Sequence, residues 1–311
     1  MSSLPPIARL SASRGTAAGR RLAAALALMA GLAFGGCDMP RDESLAGLAI
    51  ASPGSISLTN AAGEPVPLDG APVDVRHVSA ASGRIAVMTA DTELLIADPA
   101  PKGESRIWRP LTFEASSGRT PSGMDLSPDG TAIAIVLGDP ETPGLELVTM
   151  DVATGSDDVQ AVDLMANGPP AWLSPEIVLL EVIRPDQQSG TATLDRTTGA
   201  ITVTDAQGFG PSPTRDASHV AMVGTAGIVI AEAAGWLAGD PIAAPALAPP
   251  VDSSVLDVAL DADGTRLAVV YAASSGAAAS VVILRRSGAA WESATTVPVP
   301  GDVVVSIDWL D

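Results

Sequence analysis

Residues 124–136 read MDLSPDGTAIAIV and join a tight polar turn to an apolar strand. Residues 127–130, Ser-Pro-Asp-Gly, predict a reverse turn, because Pro presets φ, Asp accepts a local backbone hydrogen bond and Gly tolerates a positive φ. After the turn, Ala132, Ala134 and Val136 alternate with two isoleucines, so both faces of the outgoing strand are apolar. A strand of this kind belongs between two layers of protein.

The same arrangement recurs at residues 260–270, and weaker versions of it occur at residues 82–88, 173–180 and 213–222. Their equivalent positions are 48, 45, 42 and 47 residues apart, at Ile85, Ile133, Val178, Val220 and Leu267. This period matches the roughly 40 to 50 residues of a four-stranded propeller blade. Helical solenoids share the period but need amphipathic 3.6-residue patterns, which this sequence lacks. The repeats therefore predict an all-β protein.

The turn and the I-A-x-V strand after it resemble the WD40-like repeat of TolB-type β-propellers, in which the turn links the innermost strand of a blade to its second strand. The apolar run of residues 145–151, which ends in Asp shortly before Gly155, is similar to the third strand of that repeat. The resemblance implies a six-bladed β-propeller of four-stranded blades. Short strands at residues 48–51, 55–58 and 66–68 begin the first unit, and the later units span residues 72–113, 121–164, 169–203, 210–247 and 255–299.

The two ends of the chain complement each other. Residues 303–309 resemble an innermost strand with no second strand after it, whereas the first unit lacks an innermost strand. We therefore expect residues 303–309 to pair with residues 48–51 and close the ring, because closure removes two exposed sheet edges. Residues 44–311 then form one propeller domain.

The first 36 residues have the pattern of a signal peptide. Four arginines and no acidic residue precede an apolar run at residues 22–34. Thirteen residues are too few to cross the ~30 Å hydrocarbon core, which needs about 20 in a helix. Gly35 and Gly36 precede Cys37, the one cysteine, and this order resembles the lipobox of bacterial lipoproteins.

The resemblance implies cleavage before Cys37, a diacylated Cys37 as the new N-terminus and a lipidated tether at residues 37–43. The expected location is the extracytoplasmic side of the cell membrane, with the lipid as the membrane partner. Two other interpretations stay open, an ordinary signal peptide followed by an unrelated cysteine and a buried free thiol.

The charge balance excludes a nucleic-acid binder. Without residues 1–36, Lys plus Arg falls from 17 to 13 while Asp plus Glu stays at 36, which gives a net charge of −23. A protein that neutralises phosphates needs a basic face, and thirteen cations among nearly three times as many anions do not supply one. Anionic lipid should also repel this surface, so we expect the membrane link to be covalent.

The sequence shows no catalytic constellation. His77 and His219 are the only histidines, and without a paired spacing or nearby cysteines we interpret them as structural or surface residues rather than zinc ligands. No G-x-S-x-G elbow occurs, which excludes the serine peptidase domain that often accompanies propellers. The acidic turns at residues 125–129 and 261–264 do not complete a calcium-loop spacing, so we interpret them as blade turns and predict no cofactor and no metal site.

One set of loops invites a binding interpretation. In a propeller, the loops that leave the second strands gather around one mouth of the channel, where acidic side chains could form an anionic rim. The predicted rim contains Asp91, Asp139, Glu141 and Asp186, with Arg184 and Tyr271 among them. The other interpretation of these loops is a solvated, solubilising set.

Two function classes follow. The first is a cell-envelope lipoprotein, comparable in kind to TolB-like and LpqB-like proteins, whose propeller is a non-enzymatic scaffold for a protein, peptide or cell-wall partner, a cationic one if the acidic rim selects it. The alternative is a calcium-assisted hydrolase or lactonase of the six-bladed type. The first class is favoured because catalysis needs positioned acid, base or metal groups that the sequence does not show.

Overall fold

The computed structural model describes residues 45–101, 104–113, 119–139, 142–184, 188–241, 246–273, 279–288, 290–299 and 303–310. Of residues 139, 142, 143, 166, 167 and 273 it describes the backbone alone. The predicted signal peptide, the tether and Cys37 lie outside these ranges and stay predictions.

Six antiparallel sheets make up the described fold. The first contains β1 (Leu48–Ser52), β2 (Ser55–Thr59), β3 (Pro65–Pro67) and β23 (Ser306–Trp309). The second contains β4 (Val75–Ala81), β5 (Arg84–Thr89), β6 (Leu94–Ala97) and β7 (Trp108–Leu111). The third contains β8 (Thr120–Leu126), β9 (Ala132–Asp139), β10 (Thr142–Asp151) and β11 (Asp157–Val162).

The remaining three sheets follow in chain order. The fourth contains β12 (Met165–Trp172), β13 (Ile177–Ile183), β14 (Ser189–Asp195) and β15 (Ala200–Val203). The fifth contains β16 (Phe209–Pro213), β17 (His219–Gly224) and β18 (Gly227–Glu232), and a short helix α1 (Ala233–Leu237) follows it. The sixth contains β19 (Ser253–Leu260), β20 (Arg266–Ala273), β21 (Ser280–Ser287) and β22 (Ala290–Val297). No helix in the described part of the chain is long and apolar enough to cross a membrane.

The strand order within each sheet confirms the predicted six-bladed propeller. Strands follow one another outwards from the centre, and β4, β8, β12, β16, β19 and β23 are innermost. Five blades have four strands, and the blade that begins with β16 has three within the described ranges. We call the end of the channel where the innermost strands begin the start face, and the end where they turn into the second strands the turn face.

The closing strand pairs as predicted. β23 lies antiparallel to β1, with Leu48 opposite Trp309 and Ile50 opposite Ile307. The strand begins at Ser306 rather than at residue 303, although the Val305 N–H still donates to the Ala51 carbonyl over 3.0 Å. Both chain ends of the described propeller thereby belong to one sheet.

The turn at residues 127–130 holds itself together as the sequence predicts. Gly130 has a φ of +69°, and its N–H donates to the Ser127 carbonyl over 2.7 Å. Asp129 Oδ1 accepts hydrogen bonds from the Ser127 hydroxyl and from the N–H and hydroxyl of Thr131. The strand that follows is buried on both sides, because Ile133 and Ile135 pack against the preceding blade and Ala132, Ala134 and Val136 against the following one. Aliphatic side chains therefore supply the packing that a 3% aromatic content does not.

A register shift interrupts the start of five innermost strands. It lies at residues 75–77 in β4, 121–123 in β8, 166–170 in β12, 209–212 in β16 and 255–257 in β19. Such bulges bend a strand and redirect its side chains. Arg76 and Leu256 lie at two of these shifts and are exposed at the start face.

Candidate functional site in the central channel

The six innermost strands enclose one cavity on the axis of the propeller. Its volume is about 150 Å³. The polar or charged side chains that line it include His77, Asp125, Ser212, Thr214, Arg215 and Asp308. Every innermost strand contributes to this lining, so the cavity is the channel that the fold implies.

A ring of six hydrogen bonds joins neighbouring blades around this channel. In each bond, a side-chain oxygen of one blade accepts from a backbone N–H of the next blade. Ser79 Oγ accepts from Leu126 (2.9 Å), Asp125 Oδ2 from Trp172 (2.8 Å), Glu181 Oε2 from Gly210 (3.1 Å), Ser212 Oγ from Leu260 (2.8 Å), Asp257 Oδ2 from Ile307 (3.1 Å) and Asp308 Oδ2 from Ala80 (2.7 Å).

The ring has a simple physical cause. An innermost strand has a partner strand on its outer side alone, so backbone N–H groups on its channel side have no ladder partner. A buried N–H without an acceptor costs about 1–3 kcal/mol, and an acceptor from the neighbouring blade removes that cost. The same bond fixes the distance between two blades, so these polar side chains stabilise the ring of blades.

Burial changes the protonation of the channel carboxyl groups. It raises the pKa of Asp125 to about 6 and that of Asp257 to about 7. Burial also raises the pKa of Asp308, and the neighbouring charge of Asp125 raises it further. The channel wall therefore carries less negative charge near neutral pH than its three aspartates suggest.

The two histidines have structural surroundings. His77 lies on β4 beside the cavity, and burial lowers its pKa although a backbone contact with Ser122 acts in the opposite direction. His219 Nδ1 lies 2.9 Å from the Ser218 hydroxyl, at the start of β17. Neither contact assembles a metal site, and among the described residues no group of three or more His, Cys, Asp or Glu side chains could hold a metal ion.

In the acidic turn at residues 261–264, the carboxylate of Asp261 accepts hydrogen bonds from its own blade. Asp261 is buried, and its two oxygens accept from the Thr265 N–H and hydroxyl and from the Arg266 N–H and Nε. The Arg266 guanidinium carbon lies 4.2 Å from the centroid of the Trp309 ring on the closing strand. These contacts agree with the interpretation of residues 261–264 as a blade turn.

The predicted rim is only partly within the described residues. Asp91 is exposed in the turn between β5 and β6, and Arg184 directly follows β13. Tyr271 lies near the end of β20, where it packs in the core between two blades, and burial raises its pKa. Asp139 ends β9, but its side chain is outside the description, as are all of Glu141 and Asp186. The convergence of these residues at one mouth stays a prediction.

The start face has a second feature that the sequence analysis missed. Exposed apolar side chains lie where innermost strands begin, and the most exposed are Val73 (62%), Val251 (92%) and Leu256 (56%). Phe209 at the start of β16 is exposed as well. Exposed carboxylates lie at the same face, with Asp74, Asp205 and Asp252 ahead of innermost strands and Asp91 in the turn between β5 and β6. We call these eight residues the start-face patch. Apart from Asp91, sequence patterns did not locate it, because its members are spread over several connections between strands and over the starts of β16 and β19.

Comparison with solved structures places the fold among TolB-like propellers. TolB from Acinetobacter baumannii superposes with a TM-score of 0.65 at 12% identity, over 88% of this chain and 68% of that one. The putative TolB from Agrobacterium tumefaciens gives a TM-score of 0.56 at 11% identity, over 84% and 93%. An oligogalacturonate lyase in complex with manganese gives 0.50 at 16% identity, over 80% and 72%.

These similarities establish the fold and no activity. No protein-family model and no curated protein matches the sequence. The same propeller architecture occurs in a lyase and in TolB, so a function has to be argued from the side chains of this chain.

Proposed function

We propose that this TolB-like propeller is a cell-envelope lipoprotein that acts as a non-enzymatic binding scaffold, and that the start-face patch binds a basic polypeptide segment rich in apolar residues. The observation that carries the proposal is the patch itself, where strongly exposed apolar side chains and exposed aspartates lie on one face of the propeller. Exposed apolar groups beside charged ones are typical of surfaces that bind a partner. The aspartates give such a surface its preference for a cation.

The side chains around the channel also support the scaffold role, because they make the ring of blades rigid. Ser79, Asp125, Asp257 and Asp308 are hydrogen-bonded between blades, so these polar side chains hold the ring together. A rigid ring presents its loops in a fixed arrangement, which lowers the entropy lost on binding. The charge of the whole chain, −19, further favours encounter with a cationic partner.

The membrane anchor is tested separately from binding. We expect Cys37→Ala to release the protein from the membrane fraction, because the thiol that would carry the lipid is gone. Cys37→Ala that still sediments with membranes after a carbonate wash would contradict the anchor. Asp38→Asn serves as the control, since it alters the neighbouring residue and leaves the thiol in place.

The binding surface is tested with two peptide libraries of equal length on immobilised full chain. One library is rich in Lys, Arg and aliphatic residues, and the other replaces the cations with Asp and Glu. We expect retention of the basic library and its loss in the triple variant Phe209→Ser, Val251→Ser, Leu256→Ser. A matched control replaces three exposed apolar residues outside the patch, Val66, Ile107 and Val159, and should retain the library. Equal retention by both triple variants would contradict the proposed surface.

A further inference from the structure

The Ser79 hydroxyl lies at the junction of three innermost strands. Its oxygen is 2.9 Å from the Leu126 nitrogen, 2.7 Å from Asp125 Oδ1 and 3.0 Å from Asp308 Oδ2. Leu126 and Asp125 belong to β8, Asp308 belongs to the closing strand β23, and Ser79 lies on β4 between them. One hydroxyl therefore joins two carboxyl groups from two different blades.

The number of hydrogens at this junction determines its charge. A serine hydroxyl has one hydrogen and two lone pairs. The Leu126 N–H occupies one lone pair, and the hydroxyl hydrogen can point to only one of the two carboxyl groups. The other carboxyl oxygen then faces the second lone pair, and that contact is attractive only when this carboxyl carries a proton of its own.

We propose that Asp125, Ser79 and Asp308 form a proton-binding site whose two carboxyl groups hold one proton between them at neutral pH, and that this proton controls how firmly the closing strand β23 is attached to the neighbouring blades. Protonation on either carboxyl completes the arrangement, because that group donates to Ser79 while Ser79 donates to the other. The proton belongs to the pair rather than to one residue.

Both carboxyl groups also accept backbone hydrogen bonds. Asp125 Oδ2 accepts from the Trp172 N–H over 2.8 Å, and Asp308 Oδ1 accepts from the Trp309 N–H over 2.8 Å. Asp308 Oδ2, the oxygen that faces Ser79, also accepts from the Ala80 N–H over 2.7 Å. Neutral backbone donors of this kind stabilise the charge of one carboxylate but cannot neutralise two. Burial of both groups, together with the repulsion between them, favours retention of the shared proton.

The charged and titratable groups around the pair are few among the described residues. His77 on β4 and Arg215 after β16 line the same cavity, and Asp257 on β19 accepts from the Ile307 N–H of the closing strand. Arg266 on β20 lies over Trp309 but is paired with Asp261 over 2.7 Å. Asp257 adds a further buried carboxyl next to β23, so it reinforces the effect of the pair.

The direction of the pH response follows. Because the folded-state pKa values of these acids are raised above the unfolded value, the folded protein binds more protons above about pH 4. Stability therefore falls as pH rises from about 4 through about 6, where the pair loses its first proton, and falls further at higher pH, where the shared proton is lost and the second carboxylate forms at Ser79. The two charges then repel across the contact between β23, β4 and β8, and the ring closure loosens.

The site is tested by 13C NMR of aspartate carboxyl carbons in the full chain in non-ionic detergent. We expect at least two carboxyl carbons, from Asp257 and from the pair, to titrate above about pH 5. In Asp308→Asn, the Asp125 signal should titrate at lower pH than in the wild type, because the competing carboxylate is gone. If Asp308→Asn fails to fold, Asp125→Asn provides the reciprocal assignment from the Asp308 signal.

A melting experiment between pH 5 and pH 8 measures the consequence. The melting temperature of the wild type should fall across this range, and that of Asp308→Asn should fall less. Asp158→Asn, which removes an exposed charge on β11, is the control, and its melting temperature should fall as much as that of the wild type. Fewer than two aspartate carbons titrating above about pH 5, or the same melting slope in Asp308→Asn and wild type, would overturn the proposal.

Discussion

Trp172 and Asp125 bond to each other twice across a blade boundary. The Trp172 backbone N–H donates to Asp125 Oδ2 over 2.8 Å, and the indole Nε1–H donates to the Asp125 carbonyl over 2.9 Å. Trp309 on the closing strand β23 makes a contact like the second one. Its Nε1–H donates to the carbonyl of Ala259, on the innermost strand β19 of the neighbouring blade, over 2.9 Å. Tryptophan therefore fixes two of the six junctions through its ring nitrogen as well as through packing.

Trp172→Phe should lower the free energy of unfolding by about 1–3 kcal/mol. The substitution removes a hydrogen bond from a buried side chain and leaves part of its volume empty. Urea unfolding followed by circular dichroism measures the change. Trp291→Phe on the outermost strand β22 is the control and should cost less. Equal losses in the two variants would show that the contact with Asp125 contributes little.

Truncation after Pro300 should destabilise the entire propeller. It removes β23, and with it the buried side chains of Ile307 and Trp309 and the bonds of Asp308 to the blade that begins with β4. We expect one cooperative thermal transition at a clearly lower temperature, because the loss opens both neighbouring blades. The double variant Val303→Ser, Val305→Ser is the control, because it removes exposed apolar groups just before β23 and leaves the strand in place. A truncated protein with an unchanged melting temperature would contradict the closure.

Gly130→Ala should cost more stability than Gly155→Ala. Both glycines have a φ near +70°, where an L-residue loses roughly 1–2 kcal/mol. A Cβ at Gly130 would also lie 3.1 Å from the Ala81 carbonyl oxygen of the neighbouring blade, whereas a Cβ at Gly155 would meet nothing within 4 Å. The difference between the melting temperatures of the two variants measures the cost of this contact with Ala81. Identical melting temperatures would mean that the turn moves away from Ala81 at no cost.

The stability of the protein at low pH should depend on Asp216. Hydrogen bonds from Ser218 and from the Thr214 hydroxyl lower its pKa to about 2. Because this folded-state pKa lies below the unfolded value, its stabilisation is complete above about pH 4 and is lost as pH falls through about 2. Asp216→Asn should therefore shift the midpoint of acid unfolding to higher pH. The exposed Asp158→Asn should leave the midpoint in place, and a matching shift in both variants would refute the role of the turn.

Local patterns in the sequence were enough to predict the blades. The turn at residues 127–130 and the alternation after it specify a hairpin, and the 42- to 48-residue period specifies how often it returns. The pairing of residues 303–309 with residues 48–51 followed from counting strands, since each end had what the other lacked. The fifth sheet departs from the pattern because α1 follows β18, and no periodicity in Ala233–Leu237 distinguishes it from a strand.

The inter-blade ring could not be predicted in the same way. Asp257 and Asp308 accept hydrogen bonds from the neighbouring blade only because the innermost strands converge on the axis of the propeller. No local sequence pattern encodes this convergence. A usable signal does exist, since the bonded residues of these junctions are 47 to 50 positions apart in Ser79–Leu126, Asp125–Trp172, Ser212–Leu260 and Asp257–Ile307. An alignment of the repeats on their turns would have shown Ser79, Asp125 and Ser212 near the ends of β4, β8 and β16, whereas Glu181 lies on the second strand β13 and Asp257 in the middle of β19.

Site-specific photo-crosslinking in cells tests the proposed binding surface most directly. A photoreactive residue replaces Val251 in the start-face patch or Ile107 on the connection between β6 and β7, which lies at the turn face. Both positions are strongly exposed, at 92% and 84%, so their access to solvent is matched. We predict a discrete adduct to a polypeptide with a basic, apolar segment at residue 251 and none at residue 107. Adducts of equal yield at both positions, or at residue 107 alone, would contradict the account.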